Sequence, residues 1–358
     1  MDSEFLTTTH GQIPCEDCHG GNKDALDFKK AHQGITADPT FPDPGKTCGT
    51  CHPEITRHNR NSLHITLASY KRIIGLRINK EGGLPEKLGP AMEEHCLCCH
   101  ASCGQCHVSR PQSAGGGLLD GHFFQRRPPM ETTCVACHGS RIGDEYFGNN
   151  KGVSGDIHFT KKRMHCVSCH VGDEMHGEAE TVSGRYAVKN GPRCANCHPD
   201  AISDQSKITA HKIHKNRVSC YVCHAQPYKN CYSCHVGRDS KGLAYYQVES
   251  SKLAFKIGLN PQKDAAHPYN YVTVRHIPSS PGLFAFYLPR AMENFDSIPT
   301  WKMATPHNIQ RKTSQNQSCN ACHGNPSHFL TLSEIEEKGK KANESVAVPF
   351  NLIPELRK

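Results

Sequence analysis

Apolar and polar positions follow no sustained period over most of this 358-residue chain, and only a few stretches carry a legible pattern. Ile55, Leu63, Leu67, Tyr70 and Ile74 recur near the helical period and predict a helix over 54–78, closed by Gly82-Gly83. Lys252–Ile257 and Tyr269–Val274 have strand-like runs separated by a Gly/Asn/Pro loop, which predicts a small β element near 252–277. Near the C-terminus, Ser333-Glu334-Ile335-Glu336 reads as a capping box opening a short helix. The apolar, proline-broken arm Val346–Pro354 follows it. Gly115-Gly116-Gly117 marks a flexible turn. The longest apolar run, Pro281–Pro289, falls far short of the roughly 18–20 residues that span a bilayer, so no transmembrane segment is expected. The remaining chain predicts a mostly irregular fold with short α-helices.

The cysteines supply the order that hydropathy lacks. Twenty of 21 fall in ten copies of Cys-x-x-Cys-His. The pairs are Cys15 and Cys18, Cys48 and Cys51, Cys96 and Cys99, Cys103 and Cys106, Cys134 and Cys137, Cys166 and Cys169, Cys194 and Cys197, Cys220 and Cys223, Cys231 and Cys234, and Cys319 and Cys322. The histidines that follow them are His19, His52, His100, His107, His138, His170, His198, His224, His235 and His323. In c-type haem attachment two thiols form thioethers with the porphyrin and the adjacent His ligates the iron. A disulfide scaffold needs no His after each pair, and zinc ribbons need complementary Cys sets instead. The pattern therefore predicts ten covalent haems c. Cys98 alone has no such role and reads as a buried free thiol.

That count changes what composition implies. About 36 residues per haem is too little for conventional domains, so the porphyrins are expected to form much of the core, with the chain wrapped around them. Folding back onto haem surface is the expected course for the arm Val346–Pro354, and reaching a neighbour is the alternative. With 30 Gly, 23 Pro and 7% aromatic residues, the composition suits a thin wrapping. The +8 formal charge would otherwise invite nucleic acid. Twenty propionates set against that charge and ten ferric centres leave the oxidised protein near neutrality. Lys and Arg are better read as propionate partners, and no nucleic-acid partner is expected. No export signal is legible at Met1, yet attachment of this kind takes place outside the cytoplasmic membrane. The expected location is extracytoplasmic, at the cell surface or in the periplasm, and the chain reads as a mature form or as starting inside a longer precursor.

Fifteen histidines remain beyond the ten motifs, against seven methionines, which favours bis-His ligation at low potential. Candidate distal ligands are His10, His32, His64, His122, His158, His176, His211, His214, His276 and His307. His211 and His214 lie three apart and would share one face of a helix, poised to serve two neighbouring haems. His95 and His165 abut the first Cys of a motif and stand open between ligand and structural roles; His58, His267 and His328 are set aside as non-ligands.

Several segments resemble periplasmic and surface multihaem cytochromes of metal- and sulfur-compound-reducing organisms. They are Thr9-His10-Gly11 ahead of Cys15, Ala31-His32, Ser62-Leu63-His64, the close pair Cys96–His107, Gly121-His122-Phe123, Asp156-Ile157-His158, Glu174-Met175-His176-Gly177 and Thr305-Pro306-His307-Asn308. The resemblance covers most of residues 10–325 and implies electron transfer, including the subunits of extracellular cytochrome filaments. More distantly it extends to octahaem tetrathionate reductase and to hydroxylamine- and nitrite-converting relatives. Some of those enzymes carry Lys in place of the proximal His at the active haem; here all ten motifs end in His, so that mark is absent. The expected function is an electron conduit without a dedicated catalytic haem, as a discrete carrier or a homopolymer. Redox proteins or extracellular acceptors are its expected partners. The alternative is a reductase of a small nitrogen or sulfur oxyanion at one five-coordinate haem. Along the chain, 1–235 reads as a nine-haem wrapping region, 236–318 as a haem-free insert, and 319–358 as the tenth motif with a helix and tail.

Overall fold

Local turn chemistry, more than long amphipathic elements, sets the backbone. The computed structural model describes residues 2–41, 43–79, 81–95, 101–278 and 280–357, and its helices are short, four to eleven residues. Strands are β1 Tyr228–Lys229, β2 Cys234–Arg238, β3 Ala244–Val248, β4 Leu253–Ala254, β5 Ile257–Leu259, β6 Tyr271–His276 and β7 Trp301–Met303. All strand pairs are antiparallel: β1 with β4, β2 with β3, and β5-β6-β7 as a three-stranded sheet. Among the described residues no helix is long and apolar enough to cross a membrane.

The chain divides into two compact units, each assembled from separated segments. Unit I comprises Met1–Tyr70, Cys96–His138 and His165–Gly191; unit II comprises Lys71–His95, Gly139–Met164 and Pro192–Lys358. Unit II has ordinary apolar cores. Ile74, Leu88, Val236, Phe284 and Met292 form one cluster, and Val272, Val274, Leu330, Ile335 and Val346 another. Ile257, Phe329 and Val348 form a third. Arg275 reaches the fully buried Glu145 to make an internal ion pair. Unit I is different: among its described residues only Phe5 and Met130 are buried apolar side chains, while Leu26, Phe28, Phe41 and Phe124 lie exposed. A unit with so little apolar burial cannot offset its conformational entropy from protein contacts alone.

Several expectations are met and others shift. The β element appears as β4, β5 and β6, and the arm folds back: Val346, Ala347 and Val348 are buried, and the Val348 N–H donates to Leu330 O at 2.7 Å. The helix expected over 54–78 is three, Pro53–Asn59, Leu63–Thr66 and Ala68–Ile78. Ser62 caps the second, its Oγ accepting from the His64 N–H, and Leu67 ends it in the left-handed region at φ 50°. Side-chain capping and one strained residue thus override the apolar period. The C-terminal box sits earlier than read: Thr331 and Glu334 cap each other reciprocally, and the helix is Glu337–Asn343 without a side-chain cap. All three glycines 115–117 take positive φ, 85°, 62° and 78°, where side chains are disfavoured.

Candidate metal centres built from histidine pairs

A Cys-x-x-Cys-His sequence wound into one helical turn places both thiols and the imidazole on one face, because positions three and four apart are neighbours there. Eight motifs adopt such turns. Those at Cys15–His19, Cys103–His107 and Cys220–His224 are α-helical throughout, and Cys194–Cys197 and Cys319–Cys322 are α-helices ending at the His. Cys134 closes one helical turn as Val135–His138 begins the next.

Two motifs are wound more tightly, as 3-10 turns that open at Cys48 and Cys166. There the second cysteine, Cys51 or Cys169, stands just past the turn and closes it. The Cys51 N–H donates to Cys48 O at 3.2 Å, and the Cys169 N–H donates to Cys166 O at 3.1 Å. Both Cys51 and Cys169 are exposed, as are Cys15, Cys137, Cys194, Cys197 and Cys319, so these thiols lie open on the surface of the polypeptide. Ser102 and Gln105 form a capping box that fixes the start of the Cys103 helix. The motif Cys96–His100, with the expected haem anchors Cys96 and Cys99, the expected iron ligand His100 and the spare thiol Cys98, lies outside the described residues. So does its expected adjacency to Cys103–His107.

The ninth motif departs from this form. Cys234 and His235 lie in strand β2, so the helical face is not made. Cys231 Sγ accepts from Arg141 at 3.0 Å, Cys234 Sγ from the Tyr246 hydroxyl at 3.0 Å, and His235 Nε2 meets Ser280 Oγ at 3.3 Å. In this arrangement the motif's groups meet neighbouring side chains of the chain itself.

Among the described ring contacts, seven of the eight helical motifs bring their His beside a non-motif His. In unit I the pairs are His19 with His122 at 6.2 Å between ring centres, His52 with His10 at 6.3 Å, His107 with His176 at 6.1 Å and His138 with His64 at 6.2 Å. In unit II they are His198 with His158 at 6.1 Å, His224 with His211 at 6.2 Å and His323 with His214 at 6.1 Å. This spacing has a simple meaning. Two metal–imidazole bonds of about 2 Å, each with about 1.1 Å from nitrogen to ring centre, span about 6.2 Å. The ring-centre separations fall on that span. Among the described residues no group of three or more His, Cys, Asp or Glu converges.

Second contacts orient the rings. Nδ1 of His19 meets Thr36 O at 2.8 Å, His107 Gln125 O at 2.7 Å, His214 Ala210 O at 2.9 Å, His224 Gln310 O at 3.1 Å and His323 Glu355 O at 3.1 Å. A carbonyl only accepts, so Nδ1 carries the proton and Nε2 keeps its lone pair. His158 uses Asp156 Oδ1 at 2.8 Å, and His170 uses Glu174 at 3.0 and 3.1 Å. Burial lowers the pKa of His10, His64, His176, His211 and His214, which favours the neutral, ligating form. Phe124 stacks on His10 with ring centres 3.9 Å apart.

Among the described ring contacts, seven of the ten candidate distal histidines thus stand beside a motif His. Of the rest, His32 is exposed against Phe28, His276 stacks on Trp301 at 4.9 Å, and His307 Nδ1 bonds Thr305 O at 2.8 Å. His95 is buried with Nε2 2.6 Å from the Tyr287 hydroxyl, and His165 Nδ1 accepts from the Val167 N–H at 3.3 Å.

Thiols of different motifs also meet. The thiols of Cys48 and Cys103, of Cys134 and Cys166, and of Cys194 and Cys220 lie close enough to perturb one another's ionisation. Cys18 lies within electrostatic reach of Cys48 and Cys51, Cys106 of Cys134, and Cys223 of Cys322. Among the described motifs, neighbours numbered by first cysteine therefore include 15, 48, 103, 134 and 166 in unit I and 194, 220 and 319 in unit II. Comparison of the chain with protein-family models, curated proteins and solved structures finds no match.

Proposed function

We propose that this protein is an extracytoplasmic electron-transfer conduit that holds c-type haems between its motif histidines and paired distal histidines. The observation that carries the reading is the repeated spacing of 6.1–6.3 Å between seven motif rings and seven non-motif rings drawn from distant parts of the chain. Unit I supports it independently, since its scarce apolar burial is what a fold completed by large apolar cofactors would leave. Haem iron held between two imidazoles supplies reversible one-electron exchange at low potential, without the potential-raising thioether of Met/His ligation.

The chain's own residues do the rest. Motif cysteines anchor, paired imidazoles clamp from both sides, and the carbonyls on Nδ1 fix ring orientation. Contacts between cysteines of successive sites hold neighbouring centres close, which is what a conduit requires. The test is electron paramagnetic resonance of the oxidised protein with and without carbon monoxide after reduction. Low-spin signals from the paired sites and no ligand uptake there are expected; a protein without haem, or with its paired sites high-spin, overturns the reading.

A second reading, reduction of a small nitrogen or sulfur oxyanion, draws on one observation. His235 has Ser280, not an imidazole, beside its Nε2. Ligand uptake confined to one site and abolished by His235→Ala would favour it.

A further inference from the structure

The axial rings differ in what backs them. Five of the paired rings have a main-chain carbonyl on Nδ1, as described above. Two sites instead have a carboxylate. Asp156, whose side chain is 4% exposed, accepts through Oδ1 from the His158 N–H at 2.8 Å and meets His158 Nδ1 at 2.8 Å. Its Oδ2 accepts from the Ile309 N–H at 2.9 Å, so three N–H groups pin it. Glu174, 14% exposed, stands one helical turn from His170 and meets Nδ1 with both oxygens.

A carboxylate on Nδ1 draws the ring proton toward itself and leaves Nε2 a stronger donor. A better donor, with a negative charge close behind it, stabilises the oxidised metal over the reduced one. We propose that Asp156 and Glu174 are positioning residues that lower the reduction potentials of the sites at Cys194–His198 and Cys166–His170. This inference rests on the haem reading above.

The test is spectroelectrochemical titration of the haem-loaded full chain, wild type beside Asp156→Asn and Glu174→Gln. Both replacements keep shape and an accepting oxygen and remove the charge. The expected result is that one haem equivalent moves upward in each variant, with haem content and low-spin signals unchanged. The double variant moves two. Curves superimposable on wild type, or a uniform shift of every component, overturn the inference while leaving the haem reading in place. A wild-type chain without low-spin haem overturns both. Glu174 lies on a short surface helix, so Glu174→Gln decides the matter alone if Asp156→Asn does not fold.

Discussion

Removal of His64 is the sharpest perturbation of a single pair. His64 begins its helix under the Ser62 cap and faces His138 with ring centres 6.2 Å apart and planes at 89°. His64→Ala takes away one imidazole and leaves Cys134, Cys137 and His138 untouched. Covalent attachment is expected to survive, and one site of the ten motifs loses its sixth ligand. One tenth of the iron should therefore convert from low to high spin, and the reduced variant should take up one more carbon monoxide per chain than wild type. Added imidazole should fill the vacated space and restore the low-spin signal. His176→Ala, on the His107 pair, should act in the same way, and the two together should double the effect, because the pairs are separate. His267→Ala, against Asp264, should change neither quantity. If the His64 variant keeps its fold and haem content yet shows no new high-spin iron, the ring spacing does not report ligation.

Ring orientation yields a further expectation. The planes are near parallel at His10/His52 (27°) and His107/His176 (32°), and near perpendicular at His64/His138 (89°) and His19/His122 (73°). Paramagnetic resonance should resolve two low-spin families, rhombic and highly anisotropic, and a single family would contradict these angles. Arg275→Ala strands the buried Glu145 and should cost about 3–5 kcal/mol in denaturant unfolding, whereas a loss below about 1 kcal/mol would mean the pair is wet. Leu330, fully buried beside Val272 and Val346, should cost about 2–5 kcal/mol as Leu330→Ala; no loss would mean the folded-back arm does not pack there.

Much of the candidate site was legible because covalent chemistry fixes spacing. Cys-x-x-Cys-His names its own ring, and a surplus of His over Met points to partner rings, seven of which stand beside motif rings. His211 and His214, three apart, do face different motif rings, His224 and His323. Which His meets which motif was not legible, since His122 reaches back to His19 and His64 forward to His138, and chain looping leaves no periodic trace. His235 shows the limit of a motif: strand pairing of Cys234 with Val248 takes the segment out of the helical turn its sequence implies. The carboxylates went unassigned, although Asp156-Ile157-His158 and His170…Glu174 carry a signal, an acid two or four positions from an axial ring. In the fold, the apolar period over 54–78 was real but could not register the cap at Ser62.

The central claim is that the paired rings clasp covalently held haem. Intact mass of the protein purified from its native compartment, with haem counted per chain after alkaline pyridine treatment, tests it most directly. The account predicts a mass above the 39.6 kDa chain by whole haem units that survive denaturation, at least eight for the helical motifs and ten if every motif is filled. A bare polypeptide mass, or one raised only by zinc, would contradict it.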